Sequence, residues 1–373
     1  MAQNPLPKTL AVLQTGIDLG LHLGAQLYVS SHGKLVADAA IGLAHGSPSG
    51  GTPMTADSIN LWMSSVKPVA AVAIAQLKER DKLQLDDPVA QHIPEFSQNG
   101  KERITIRHLL THTGGFRALP DAWLNESWDQ IIARICAARP EPSWPPGEKA
   151  GYHPRSSWFI LGEIIRRIDG RSYDQYARQE IFLPLEMSDS WAGMPGEQYR
   201  DYRNSDRLAA MYEPGEAAPD PTDPSAGMPT EAQCSAVRPG SNGRGPIRDL
   251  GRFYEMLHGR GELRGKRILK RESVAELIAP QRVGMYDHTF KAPMDWGLGF
   301  ILNTTAPAEI PYGYGPGASP RAFGHSGAQS SCAFCDPEHE LVVAWICNGM
   351  PGEPRHQARQ RDINSAIYLD LAI

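Results

Sequence analysis

A chain of 373 residues exceeds the usual size of one hydrophobic core, so two lobes or domains are expected. Its 41% apolar and 21% charged residues are those of an ordinary soluble globular protein. The net charge of −5, with bases and acids intermixed, gives no sign of the basic face that a nucleic-acid partner normally needs, so none is expected.

The opening segment, MAQNPLPKTLAVLQTG, has no basic region leading into an unbroken apolar run, so no signal peptide is expected. No apolar run nears the roughly 18 residues of a membrane span, and a cytoplasmic, membrane-free protein is expected. Within 5–22, Leu10, Leu13, Ile17 and Leu21 recur at helical spacing. GAQLYVSSHGKLVADAAIGLAH reads as two antiparallel strands joined by a turn at Ser31–Gly33. From Ser64 the apolar positions Val66, Val69, Ala70, Ala73, Ile74 and Leu77 follow an amphipathic helix. ITIRHLLTHTGG (104–115) predicts a short helix stopped by its double glycine, and helical spacing returns at 127–138, 156–168 and 172–182. Residues 203–246, rich in Pro, Gly, Ser and Asp, predict a long irregular segment, disordered or forming a functional rim loop. Helices are expected at 247–258 and 270–279. Strands follow at 296–305, 321–337 and 341–349, with a loop at 306–320 and a closing helix at 359–373. Strands at both ends around a helical middle imply an α/β (α+β) fold, an antiparallel sheet flanked by helices with a mainly helical insertion.

Five cysteines (Cys136, Cys234, Cys332, Cys335 and Cys347) are too few and odd in number for a disulfide framework. Cys332 and Cys335 form a C-x-x-C, but no second pair or His cluster stands at zinc-ligand spacing, so neither metal nor cofactor is expected.

Three stretches carry candidate chemistry. Ser64 and Lys67 stand three apart at a helix start, where a lysine of lowered pKa can activate a serine and free N–H groups favour an oxyanion. The same S-x-x-K spacing at Ser31–Lys34 falls in the hairpin turn and is accidental. WPPGEKAGYHP (144–154) delivers Tyr152 just before a helix, a phenol that beside a lysine serves as base and then acid. FGHSGAQSS (323–331) sets His325, Ser326 and Gly327 in a strand beside the helix start, where the Ala328 N–H with that of Ser64 would form an oxyanion hole.

In this order the S-x-x-K, Tyr and H-x-G elements resemble the serine β-lactamase/penicillin-binding-protein superfamily, in its class C β-lactamase-like branch with family VIII carboxylesterases and transesterases. ITIRHLLTHTGGF, PPGEKAGY, FLPLEMSDS, GPIRDLGRFYEMLHGRG, WGLGF and GHSG…DPEHELVVAW resemble the family's recurring stretches over nearly the whole chain. The resemblance implies a sheet domain from 1–60 and 240–373, a helical domain from 61–239, and an active site between them. It implies Ser64 as acylated nucleophile, Lys67 as its proton acceptor, Tyr152 as second base and acid, and His325, Ser326 and Gly327 as substrate-binding. Two departures stand out. The Asn of the family's Tyr-x-Asn has no counterpart, with Arg155 and Ser156 the nearest candidates, and His325 replaces the usual Lys. Both favour neutral esters over β-lactams. The expected function is serine hydrolysis of small carboxylic esters. Acyl transfer, action on D-amino-acid amides or peptides, weak β-lactam hydrolysis and a non-catalytic sensor are the alternatives. Oligomeric state is not readable.

Overall fold

The computed structural model describes residues 5–47, 50–213, 227–304 and 311–373. An eight-stranded antiparallel sheet draws on both ends of the chain. The first part supplies β1 (Gly24–Ser31), β2 (Lys34–Ser47) and β3 (Gly50–Pro53). The last part supplies β4 (Asp295–Trp296), β5 (Ile301–Leu302), β6 (Phe323–Gly327), β7 (Ser331–Asp336) and β8 (Leu341–Cys347). Their order is β4-β5-β6-β7-β8-β1-β2-β3, so the two ends meet where β1 pairs with β8, from Ala25↔Cys347 to Ser31↔Leu341. The expected antiparallel sheet flanked by helices is what the chain forms. In the first hairpin His32 and Gly33 take φ of 50° and 69°, the two-residue turn whose twist suits paired strands, and Ser31 stands opposite Lys34.

Side chains alternate across the sheet, and β8 is buried throughout because both faces are covered. Val342, Ala344 and Ile346 enter a core shared with the helical middle of the chain. Leu341, Val343, Trp345 and Cys347 enter a second core beneath the terminal helices α1 (Pro7–Asp18) and, at the other end, Glu353–Leu371. Trp345 Nε1 donates to Asn364 Oδ1 at 2.8 Å, giving a buried indole its partner. Cys332 and Cys335, an odd number of residues apart on β7, fall into opposite cores and cannot share a ligand. All five thiols are free and buried, and among the described residues no group of His, Cys, Asp or Glu is placed to hold a metal. No described helix is long and apolar enough to cross a membrane.

The central helix α2 (Lys67–Glu79) departs from its amphipathic reading, since every residue from Lys67 to Leu77 is buried. Ala70, Ala71, Ala73 and Ala75 look indifferent to side in the sequence, yet they allow close packing all round the helix, including against α3 (Ser156–Asp169). The 104–115 helix is shorter than its pattern. Thr105 caps it, it spans only Ile106–Leu110, and His112 at φ 58° turns the chain away before the glycines are reached. The expected strand at 296–305 is instead the β4–β5 hairpin, folded at Gly299 with φ 83°; Thr305 and residues 306–310 of the following loop lie outside the described residues. The closing helix starts at Glu353, because His356, Arg359 and Gln360 are buried polar residues that mask its apolar period. Residues 203–246 include the helix Glu231–Ser235 and the pair Arg244–Gly245, bonded to Asn60–Leu61; 214–226 lie outside the described residues.

Candidate active site

Ser64 lies on one 3-10 turn, Met63–Val66, that runs into α2 at Lys67. Residues three apart eclipse in such a turn, so Ser64 and Lys67 face each other. The turn is entered through Met63 at φ 50°, a conformation costing a non-glycine residue on the order of 1 kcal/mol or more. Neighbours hold it there. Trp62 N donates to Gly243 O at 2.8 Å and Trp62 Nε1 to Gly245 O at 3.0 Å. Ser331 Oγ donates to Trp62 O at 2.7 Å, and Ser65 Oγ donates to His325 O at 3.2 Å. β6 and β7 are thereby fastened to the serine turn. Gly327 permits the approach: a Cβ there would lie 2.2 Å from Ser331 Oγ and 2.5 Å from Trp62 O.

Lys67 is wholly buried. Its Nζ contacts Ser64 Oγ at 2.9 Å, Pro154 O at 2.9 Å and Gly240 O at 2.6 Å. Among the described residues no carboxylate touches it. Burial, reinforced by the positive charge of Arg155, holds its pKa well below the ordinary lysine value. The ring faces of Tyr152 and Trp158, 5.1 and 5.3 Å from Nζ, close the pocket around it.

The Tyr152 phenol is raised above its ordinary pKa by burial, against a smaller lowering by the nearby Ser64 side chain. Its ring is walled by His112 at 4.7 Å, Phe290 at 4.8 Å, Trp296 at 5.9 Å and His325 at 6.0 Å. Its backbone N–H donates to Asp287 Oδ1 at 3.0 Å, and Arg282 Nη2 donates to Asp287 Oδ2 at 2.9 Å, both residues being buried. His153 N donates to His112 Nδ1 at 3.0 Å, so His112 is neutral with its proton on Nε2.

His325 Nδ1 lies 2.7 Å from Ser326 O, which fixes the proton on that nitrogen. Burial, then the proximity of Lys67, pushes the imidazole down to about 3. Nε2, without a partner among the described residues, is therefore a bare acceptor where a lysine would bring a fixed cation. Ser326 and Gly327 are buried in β6, and Ala328 is exposed at the start of the next turn.

The structure thus brings Ser64, Lys67, Tyr152 and His325 together. Two residues after the tyrosine stands Pro154, and its carbonyl, not a side chain, reaches Lys67. Neither Asn candidate does: Ser156 Oγ donates to Phe116 O at 2.8 Å, and Arg155 pairs with Asp121. Sequence reasoning missed His112, Trp158, Gly240 and the Arg282–Asp287 pair. The glycine acts through its carbonyl, which no residue pattern reports, and the others converge only in three dimensions.

A family model described as Beta-lactamase matches residues 13–367. The chain belongs to the beta-lactamase family. Within it, this chain is 26% identical over 351 residues to the Esterase/beta-lactamase LipL of Mycobacterium tuberculosis, covering 87% of this chain and 77% of that one. The crystal structure of a family VIII carboxylesterase superposes with a TM-score of 0.79 at 25% identity, covering 99% of this chain and 98% of the other. A penicillin-binding protein homolog from Caulobacter crescentus does so with a TM-score of 0.79 at 28% identity, covering 98% of both. This beta-lactamase-family chain therefore has esterases and penicillin-binding-type proteins alike among its relatives.

Proposed function

We propose that the chain hydrolyses small carboxylic esters through an acyl-Ser64 intermediate. The observation that carries this reading is the bonding of Lys67. The carbonyls of Pro154 and Gly240 only accept, so a neutral amine places its two N–H bonds on them and leaves its lone pair for the Ser64 hydroxyl. Burial without a carboxylate favours that neutral state.

Ser64 Oγ then attacks the ester carbon while its proton passes to Lys67 Nζ. The N–H groups of Ser64 and Ala328 hold the oxyanion. As the C–O bond breaks, the alkoxide takes the Tyr152 proton, and the Lys67 ammonium restores it. A phenol raised by burial suits this donor role better than that of a resting base. Water then adds to the acyl carbon and gives a proton to the same pair. Ser64 Oγ leaves with that proton, and the carboxylic acid departs.

A backbone carbonyl at Pro154 offers no side-chain amide to a β-lactam, and a neutral His325 offers no charge to its carboxylate; both support esters. Five free thiols support a reducing, cytoplasmic setting, which cell fractionation tests. The function is tested by fluorophosphonate labelling and by rates on p-nitrophenyl butyrate, a chromogenic cephalosporin and a D-alanyl anilide. Labelling should disappear in Ser64→Ala and the ester should be the fastest substrate. Undiminished labelling, or a cephalosporin turned over faster than the ester, would defeat the reading.

A further inference from the structure

Next to the serine turn, at Met63, lies a cavity of about 450 Å³, lined also by Arg155, Arg238, Ser241, Asn242 and Arg244. Met63 directly precedes Ser64. Arg155 and Ser241 directly follow Pro154 and Gly240, whose carbonyls hold Lys67 at 2.9 and 2.6 Å. The cavity therefore adjoins the chain segments that carry Ser64 and the two carbonyl partners of Lys67.

Among the described residues the lining is cationic and short of counter-charge. Arg155 has Asp121, but Arg238 and Arg244 form no ion pair with a described residue. Arg244 is only 4% exposed, and its one side-chain hydrogen bond runs from Nε to Asn242 Oδ1 at 3.3 Å, so both terminal nitrogens are without a partner among the described residues. Arg238 gives one bond, Nη2 to Leu124 O at 3.1 Å, and its buried Nε has no partner. A buried charge is normally paired and hydrogen-bonded. The same protein shows the satisfied form: buried Arg282 has Asp287 and the carbonyls of Thr111 and Met294. Arg238 and Arg244 have their donors ready and, among the described residues, no anion to receive them.

We propose that this cavity is an anion-binding subsite and that the preferred substrate is an ester bearing a carboxylate or similar anionic group. The proposal rests on the ester reading above and names its substrate class. The cation absent at His325 is thus supplied from another wall of the site. A planar guanidinium pair suits a carboxylate, and charge-assisted bonds of this kind are worth roughly 10- to 100-fold in binding.

The test compares kcat/KM within two matched pairs. One places the charge on the acyl half, mono-p-nitrophenyl glutarate against p-nitrophenyl butyrate. The other places it on the alcohol half, 4-carboxyphenyl butyrate against phenyl butyrate. The proposal expects the charged member to lead about tenfold or more in one pair, which also tells which half enters the cavity. It expects that ratio to fall about tenfold in Arg244→Gln and in Arg238→Gln, to invert in Arg238→Glu, and to shrink with added salt. Arg238 is only half-buried, so its variants carry the test where Arg244→Gln does not fold. A wild-type ratio at or below one in both pairs overturns the subsite, as does a ratio the Arg238 variants leave unmoved. Those outcomes leave the ester reading standing if butyrate is turned over and Ser64 labels. No turnover of any ester and no label overturn the ester reading itself.

Discussion

Asp287 is an unobtrusive residue that the fold makes expensive to lose. Its Oδ1 accepts the backbone N–H of Tyr152 at 3.0 Å, of Thr289 at 2.9 Å and of Phe290 at 3.1 Å. Its Oδ2 accepts Arg282 Nη2 at 2.9 Å, and both side chains of the pair are at most 1% exposed. Asp287→Ala would strand a buried guanidinium, a change worth about 3–5 kcal/mol, and leave three N–H groups without an acceptor. For a chain of this length, an unfolding entropy typical per residue converts ~4 kcal/mol into a Tm lower by about 5 °C. Tyr152 loses its backbone anchor at the same time, so kcat should fall with Tm. A thermal scan and initial rates on one preparation give both values. Replacing both partners, Arg282→Met with Asp287→Leu, removes the stranded charge and should recover much of the lost stability, since an apolar pair often equals a buried ion pair. An Asp287→Ala protein melting within about 1 °C of wild type, or a double variant losing the sum of its singles, would refute the reasoning.

Three further outcomes are expected. In the proposed reaction Lys67 acts as base only when neutral, so its depressed pKa means that activity should be present above that pKa and lost as pH falls through it. Arg155→Gln removes the repelling charge, second to burial as a cause, so the acid limb of kcat/KM should move to higher pH; an unmoved limb would disconnect Arg155 from Lys67. Burial pushes His22 and His356 down to about 3, His153 to about 4 and His325 to about 3. Unfolded chain binds protons below about 6.5 that these histidines refuse when folded, so stability is full above that pH and lost toward the folded pKa values, by about 1.4 kcal/mol per unit for each. Tm should drop steeply from pH 6 to 4, and a flat Tm there would contradict the burial of neutral histidines. Gly327→Val drives a side chain into Ser331 Oγ and Trp62 O, displacing the serine turn, so ester turnover should fall far more than overall helix content by circular dichroism. Retained activity would mean that β6 does not set the position of Ser64.

The residues that pack, or that meet at the candidate site, through their own side chains were legible in the sequence. Ile247–His258 is predicted to the residue because its apolar face repeats cleanly and Pro246 marks its start. Ser64, Lys67, Tyr152 and His325 announce themselves by type and order. What stayed hidden acts through backbone or through distance. The two carbonyls that orient Lys67 belong to Pro154 and Gly240, residues whose side chains say nothing of it. Alanine-rich α2 read as two-faced because alanine is silent about which face is buried. A single residue in the left-handed region, His112, cut the 104–115 helix short against its apolar pattern. Arg238 and Arg244 sit in a stretch read only as irregular, and their lack of an ion pair among the described residues is visible only once the fold is closed.

The central claim is that Ser64 is acylated with neutral Lys67 as its base. The most direct test is the mass of intact protein after exposure to a fluorophosphonate, with the adduct located by peptide mapping, for wild type, Ser64→Ala and Lys67→Met. The account predicts one adduct, on Ser64, absent from Ser64→Ala and formed far more slowly in Lys67→Met. An adduct on any other residue, or equal labelling rates in wild type and Lys67→Met, would contradict it.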